Sequence, residues 1–177
     1  MHAFIDESIR PGTYRLTAVL ASPTDLAQLA RAVRSVVPKG SKRTHLSAES
    51  ESRRRRIMAD YVRLPISAVV YRTAYRQGDN DEPARRRCLE ALLNDVTSLK
   101  VAVLVLDTRG PDRDAQDRSV ISRAVRDGVV PAKLVYAHRG SRDEVLLGLP
   151  DAVGWADGAG RHYSMLVEAI VRRADVV

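Results

Sequence analysis

The sequence predicts one α/β domain, residues 1–177, built on a mixed sheet in which an antiparallel hairpin is followed by parallel crossovers. Two apolar segments, residues 2–8 and 13–21, flank a Pro-Gly turn near the start of the chain, which is typical of a hairpin. Later strand-like segments alternate with helical ones, which indicates parallel strands joined through helices. These later strands are predicted at residues 66–74, 101–107 and 133–138.

The predicted helices rest on apolar residues that recur every three or four positions. The clearest example runs through Cys88, Leu92 and Leu99, and the first helix carries Pro23 and an acid in its opening turn. The segment that ends at Leu106 is apolar without alternation, which indicates a strand buried on both faces. Helices are predicted at residues 22–37, 49–62, 85–99, 115–127, 150–155 and 161–173, with a loop at 38–41 and a short extended segment at 45–46.

The composition predicts a folded domain with an aliphatic core, because the chain is 45% apolar but only 5% aromatic. No apolar run approaches the roughly 18 residues that a membrane-spanning helix needs. Asp6 and Glu7 would interrupt a signal peptide, and a single Cys88 excludes an internal disulfide and a cysteine zinc site. We therefore expect a cytoplasmic protein without a membrane partner.

The charge of the chain is consistent with a nucleic-acid partner. The net charge is +7, and arginine supplies almost all of the positive charge. Because the guanidinium group can bind phosphate through two hydrogen bonds, DNA or RNA is a natural ligand for such a chain. An arginine bias can equally reflect GC-rich coding, so the charge alone does not select between these interpretations.

Two predicted strands run directly into carboxylates. Residues 2–5 lead into Asp6 and Glu7, and residues 101–106 lead into Asp107. An unpaired buried carboxylate costs several kcal/mol, so packing alone does not explain these residues. If the strands are neighbours, Asp6 and Asp107 converge at one edge of the sheet, where they could bind a divalent metal.

Alternative interpretations of these acids remain open. Strand alternation places Glu7 on the opposite face from Asp6, so we favour Asp6 for the site and keep Glu7 as an auxiliary residue. Asp6 could instead accept hydrogen bonds from nearby backbone amides, and Asp107 could be a turn residue. Glu49 and Asp151 both lie near predicted helix starts, where an acid is common because it complements the helix dipole.

Five segments carry a resemblance to a known family. They are residues 4–8 (FIDES), 44–50 (THLSAES), 104–109 (LVLDTR), 114–118 (DAQDR) and 146–153 (LLGLPDAV). On these segments the chain resembles the domain of unknown function 3800 family, a branch of the ribonuclease H-like superfamily, over nearly its whole length. The first and last segments are the more specific, and the resemblance implies a ribonuclease H-like mixed sheet flanked by helices.

The resemblance also implies a site. Members of the family look like metal-dependent nucleases by their fold, with Asp6 and Asp107 as the paired strand acids, Asp151 as the late helical acid and Glu49 as the acid between them. Asp6, Asp107 and Asp151 would then bind Mg²⁺ or Mn²⁺, and all four acids would be catalytic.

The chain departs from the family pattern at two places. It has Gly148 where the family usually has a larger or amide residue. The middle strand of the family more often ends in Glu than in Asp107, so this residue could reach a metal differently. Asp157 is a competing late acid that we rank below Asp151.

Other polar residues are predicted to act around this site. Arg53, Arg109 and Arg118 are expected to bind nucleic acid, although an arginine on a helix is often simply solvated. His45 and His138 could act as proton shuttles, although a lone histidine near a strand end is more often merely hydrogen-bonded. Trp155 lies close to Asp151 and could stack on a base or pack in the core.

These observations support three hypotheses. The first is a metal-dependent nuclease that hydrolyses phosphodiesters by a two-metal mechanism. The second is a non-catalytic ribonuclease H-like module that binds nucleic acid or a protein. The third, a small-molecule phosphohydrolase, ranks last because neither strand-end acid, Asp6 or Asp107, begins the usual Asp-x-Asp nucleophile motif. The sequence does not define the oligomeric state.

Overall fold

The computed structural model of the protein describes residues 1–38 and 44–177. Its centre is one six-stranded mixed sheet. The strands are β1 (His2–Arg10), β2 (Gly12–Ala21), β3 (Ile66–Tyr75), β4 (Val103–Asp107), β5 (Val135–Arg139) and β6 (Val171–Asp175). Their order is β5-β4-β1-β2-β3-β6. Strand β2 is antiparallel to both β1 and β3, whereas β4 is parallel to β1, β5 is parallel to β4 and β6 is parallel to β3. The predicted hairpin and parallel crossovers are confirmed.

Helices cover both faces of the sheet. They are α1 (Leu26–Val36), α2 (Glu51–Tyr61), α3 (Glu82–Asp95), α4 (Pro111–Arg126), α5 (Gly148–Gly158) and α6 (Arg161–Leu166). Short 3₁₀ turns occupy Leu46–Ala48 and Val145–Leu147. No helix in the two described ranges is both long and apolar enough to cross a membrane.

Strand alternation divides the core into two layers. Ala3 and Ile5 of β1 pack on one face with the apolar sides of α3 and α4, whereas Phe4 packs on the other with α1, α2 and α5. Since side chains alternate along a strand, Asp6 continues the Phe4 face and Glu7 continues the Ile5 face. The two acids therefore face different helices.

The predicted helix over residues 161–173 is confirmed from Arg161 to Leu166 and is wrong beyond that point. Helix α6 ends at Leu166, and the chain then forms β6, which pairs with β3 from Ala68↔Val171 onward. The extended backbone sends Arg172 to Asp95 and Arg173 to Asp157, two acids on different helices. Pairing with the open edge of β3 thus outweighs the local helical pattern.

Smaller differences lie at element boundaries. His45 has an extended backbone, as predicted, but Leu46 already begins a 3₁₀ turn. Most of the predicted loop at 38–41 lies outside the described residues. Helix α4 begins four residues earlier than predicted, because Gly110 adopts φ 96° and allows Pro111 to occupy the first helical position.

Candidate functional site

Asp6 and Asp107 lie at the point where the pairing between two adjacent parallel strands, β1 and β4, ends. The last register pair between β1 and β4 is Ile5↔Leu106, so the next residue on each strand is one of the two acids. Strand β4 ends at Asp107, whereas β1 continues beside β2 to Arg10. No β1–β4 pair forms beyond Ile5↔Leu106, and we call the place beyond this last pair, at the carboxyl end of β4, the crevice. This is the usual ligand position in such sheets.

Helix α5 places Asp151 against the same crevice. Gly154 lies so close to β2 that an added Cβ atom would be 2.6 Å from Thr17 Oγ1, and Thr17 is the register partner of Asp6. An added Cβ at Gly158 would be 3.2 Å from Cγ of Arg10, so α5 runs alongside β1 in the same direction as that strand. Asp151 lies about one turn before Gly154 and is thereby held beside Asp6.

The surroundings of Asp6 concentrate negative charge. Burial raises the pKa of Asp6 well above its ordinary value, and the charges of Glu7, Asp151 and Asp107 raise it further. A single backbone hydrogen bond, from the N–H of Glu7 to Oδ1 at 2.8 Å, acts in the opposite direction. A buried carboxylate surrounded by other acids is stabilised by a cation.

The donor set at this crevice consists of carboxylates. Oxygen donors of this kind match Mg²⁺ or Mn²⁺ better than zinc. Among residues 1–38 and 44–177, no three Asp, Glu, His or Cys side chains already form a complete metal site. The residues therefore fit a hard divalent cation by their chemistry, without a preformed coordination shell.

A buried ion cluster lies on the opposite face of β1, where Glu7 points. Arg85 of α3 is 1% exposed and donates from Nη1 to Glu7 Oε2 at 2.8 Å. Its Nη2 and Nε donate to the two carboxylate oxygens of Asp117, at 2.8 and 3.3 Å. This bidentate pair joins α3 to α4 beneath the strand that carries Asp6.

Further residues complete the cluster around Asp117. Arg109 donates from Nη2 to Asp117 Oδ1 at 3.1 Å and from Nη1 to Glu82 Oε1 at 2.6 Å. His138 of β5 places Nε2 3.2 Å from Asp117 Oδ2. We call this set the Arg85 cluster, comprising Glu7, Glu82, Arg85, Arg109, Asp117 and His138.

The charges of the Arg85 cluster act differently on its two central acids. Burial by itself would raise the pKa of Asp117, but the hydrogen bond with His138 and the charge of Arg85 outweigh it, so the pKa lies well below the ordinary value. For Glu7, burial outweighs the charges of Arg85 and Arg109, and the pKa is raised. Asp117 is therefore the firmly ionised acid of the pair.

The predicted roles of Arg109 and His138 do not agree with their positions. The Arg109 side chain is 5% exposed and is held by two carboxylates, so it does not offer its guanidinium to a phosphate. The His138 side chain is 6% exposed and contacts Asp117. Both side chains belong to the Arg85 cluster because β4 and β5 end beside the start of α4.

The remaining predicted residues take separate positions. Glu49 pairs with Arg53, with Nε 2.7 Å from Oε2, and Arg53 also donates to the carbonyl of Val36 at 2.6 Å. Arg118 is exposed and lies 3.5 Å from the carbonyl of Pro111. His45 is exposed at the start of the first 3₁₀ turn. Their proposed roles stay predictions.

Asp157, the competing late acid, is bound by two arginines of the sheet. It is buried on α5 and accepts hydrogen bonds from Arg15 Nε at 3.0 Å and from Arg173 Nε at 2.6 Å. These contacts join α5 to β2 and β6. The ranking of Asp151 above Asp157 stays a prediction.

We expect Gly154→Ala to destabilise the protein. The added methyl group would meet Thr17 Oγ1 at 2.6 Å, and overpacking of this kind costs about 1–3 kcal/mol. Alanine favours a helix over glycine by about 1 kcal/mol, which only partly offsets that cost. Urea denaturation should show a net loss of up to about 2 kcal/mol, recovered in part by Thr17→Ala in the same chain.

Gly140→Ala is the matched control for this substitution. Its added Cβ would lie 3.8 Å from the nearest atom, an ordinary contact, so a change within about 0.5 kcal/mol is expected. Equal stabilities for the two variants would contradict the close approach of α5 to the sheet.

We also expect Asp117 to contribute to acid unfolding. Since its folded-state pKa is lowered, its contribution to stability is present above the unfolded value of about 3.9 and is lost as the pH falls through the folded-state pKa. Urea denaturation from pH 6 to pH 2 should show the wild type losing its advantage over Asp117→Asn. Parallel stability curves for the two proteins would contradict this assignment.

The arrangement of strands and helices agrees with that of a solved nuclease complex. A chain in the structure of the PCNA:RNase HII complex from Archaeoglobus fulgidus matches with a TM-score of 0.60 and 16% identity, over 96% of this chain and 76% of that chain. The likeness confirms the ribonuclease H-like fold. No family model and no curated protein matches the chain, so membership of the domain of unknown function 3800 family stays a prediction.

Proposed function

We propose that the protein is a divalent-metal-dependent nuclease whose acids are Asp6, Asp107 and Asp151. The observation that carries this proposal is the placement of Asp6, Asp107 and Asp151 at neighbouring positions on β1, β4 and α5. Burial and the charge of Glu7 raise the pKa of Asp6, and the charges of Asp151 and Asp107 raise it further. The ribonuclease H-like fold supports it, and RNase HII is a nuclease by its name. The net charge of +7 favours a polyanionic substrate.

In this proposal the three carboxylates hold Mg²⁺ or Mn²⁺. When bound, two such ions would activate a water and stabilise the leaving 3′-oxygen of a phosphodiester. The charges of Asp107 and Asp151 both act on Asp6, and the N–H of Glu7 orients its Oδ1 oxygen. The paired strands fix the backbones of Asp6 and Asp107, while Gly154 brings α5 close enough for Asp151 to join them.

The proposed function is tested by cleavage of end-labelled single-stranded DNA, single-stranded RNA, duplex DNA and an RNA–DNA hybrid. The wild type should cleave at least one of them with Mg²⁺ or Mn²⁺ and none with EDTA. Asp107→Asn and Asp151→Asn should lose this activity. Asp127→Asn is the control, because its carboxylate is 54% exposed and lies at the far end of α4.

Two results would contradict the nuclease proposal. One is salt-sensitive binding without turnover that is unchanged in Asp107→Asn and Asp151→Asn, which would favour the non-catalytic module. The other is activity that persists in both variants, since that would place the reacting groups elsewhere.

A further inference from the structure

One aromatic surface lies next to the acidic crevice. Trp155 follows Asp151 by four residues on α5, so both lie on one side of the helix, about 6 Å apart along its axis. We call this the Trp155 surface and define it by Arg10, Arg54, Trp155 and Tyr163. It joins the end of β1 to α2, α5 and α6.

Two guanidinium groups lie over the Trp155 ring. The Cζ atom of Arg54 is 5.2 Å from the ring centroid and that of Arg10 is 6.0 Å from it, both within the range of a cation–π interaction. Arg54 donates to the carbonyls of Leu46 and Ser47, each at 2.7 Å. Because carbonyls are neutral acceptors, these bonds orient Arg54 without cancelling its charge.

Tyr163 fixes the ring from its edge. Its ring centroid lies 4.7 Å from that of Trp155 at an interplanar angle of 72°, and its hydroxyl donates to Glu51 Oε2 at 2.7 Å. Trp155, Arg10 and Arg54 are all half-buried, so each retains solvent-exposed surface. The surface is thus aromatic and carries two arginines, while Glu51, the acid that its Tyr163 contacts, is paired with Arg55. It lies beside a crevice that is negatively charged.

We propose that the Trp155 surface binds an unpaired nucleotide of a single-stranded nucleic acid, with its base replacing the more distant Arg10 guanidinium on the Trp155 ring and its phosphate bound by Arg10 and Arg54. This inference rests on the proposed function and deepens it by naming the substrate class. An acidic crevice repels phosphates, so a backbone needs neighbouring cations to approach it. A stacking ring favours single strands, because the faces of bases in a duplex are covered by their neighbours.

The intrinsic fluorescence of the protein tests this inference directly, because Trp155 is the only tryptophan in the chain. Titration with oligothymidylate or oligouridylate in EDTA should quench the emission, whereas a blunt duplex of equal length should quench it weakly. Trp155→Ala should weaken single-strand binding, measured by anisotropy of a labelled strand, by about 5- to 150-fold, the range expected for one base–aromatic stack. Trp155→Phe should retain more of the affinity.

Arg10→Gln should lower the slope of log affinity against log salt concentration by about one, as expected for the loss of one phosphate contact. Arg86→Gln is the control, since this arginine is exposed on α3 and paired with Glu90.

Saturating single-strand binding without quenching, or equal affinities for the wild type, Trp155→Ala and Trp155→Phe, would overturn the inference. Since binding is measured in EDTA, quenching without any cleavage would contradict the nuclease proposal alone, and cleavage without quenching would contradict the Trp155 surface alone.

Discussion

Asp6→Asn should reduce metal-dependent cleavage by more than about 100-fold, since changes that merely disturb the partners of a metal ligand already cost 10- to 100-fold. The same substitution should stabilise the metal-free protein. Because the folded-state pKa of Asp6 is raised, its ionisation opposes folding, and the stability of the wild type falls as the pH rises through that pKa. Asparagine keeps the shape of the side chain and removes this effect.

Thermal denaturation in EDTA and in Mg²⁺ measures both parts of this prediction. In EDTA at pH 7, Asp6→Asn should melt above the wild type. Mg²⁺ at 100 times its dissociation constant should stabilise the wild type by about 2.7 kcal/mol and the variant far less. An Asp6→Asn protein that is less stable in EDTA and equally responsive to Mg²⁺ would show that Asp6 has a purely structural role.

Arg85→Met should be among the most destabilising single substitutions in the protein. The guanidinium is 1% exposed and compensates the charges of Glu7 and Asp117, whose side chains remain largely buried without it. Removing one partner of a buried ion pair costs about 3–5 kcal/mol, which is a large fraction of the 5–15 kcal/mol typical of a folded domain. Urea denaturation at pH 7 should show this loss.

Arg86→Met is the control for this prediction, one residue further along α3. The Arg86 side chain is 53% exposed and pairs with Glu90 four residues on, an interaction worth about 0.3–0.5 kcal/mol. If the two variants lose similar stability, the Arg85 cluster does not hold α3 and α4 against the sheet.

Much of the fold follows from local patterns in the sequence. The Pro-Gly turn between two apolar segments specifies the hairpin, and the unbroken apolar segment before Asp107 specifies a central parallel strand. Because successive side chains along a strand point to opposite faces, the sequence also predicts that Asp6 and Glu7 lie on opposite faces of the sheet. The convergence of Asp6 and Asp107 could be predicted because each acid directly follows an apolar run, and the two runs form adjacent parallel strands.

The Arg85 cluster could not be predicted in the same way. Arg85 and Asp117 are 32 residues apart, and Arg85 begins a run of three arginines that is typical of a solvated helix face. A signal was nevertheless present, because Arg85 shares the helical face of Leu89 and Leu92, which are fully buried. Asp117 lies in the DAQDR segment. Its burial is explained only by a partner far away in the sequence, Arg85, which the segment itself does not reveal.

The C-terminal strand shows a second limit of local patterns. Residues 161–173 have helical spacing, yet β6 forms because the edge of β3 offers a row of unpaired backbone groups. The partners of Arg172 and Arg173 lie on α3 and α5, more than ten residues away in each case. Pairings of this kind depend on the assembled sheet.

The most direct test of the account is to soak crystals in Mn²⁺ and measure the anomalous scattering. We predict one or two strong peaks at the carboxyl end of β4, bonded to Asp6 and shared with Asp107 and Asp151, at about the 2.1 Å typical of small hard divalent ions. Saturating Mn²⁺ with no peak beside Asp6, or peaks confined to other acids, would contradict the convergence of these three carboxylates on a metal.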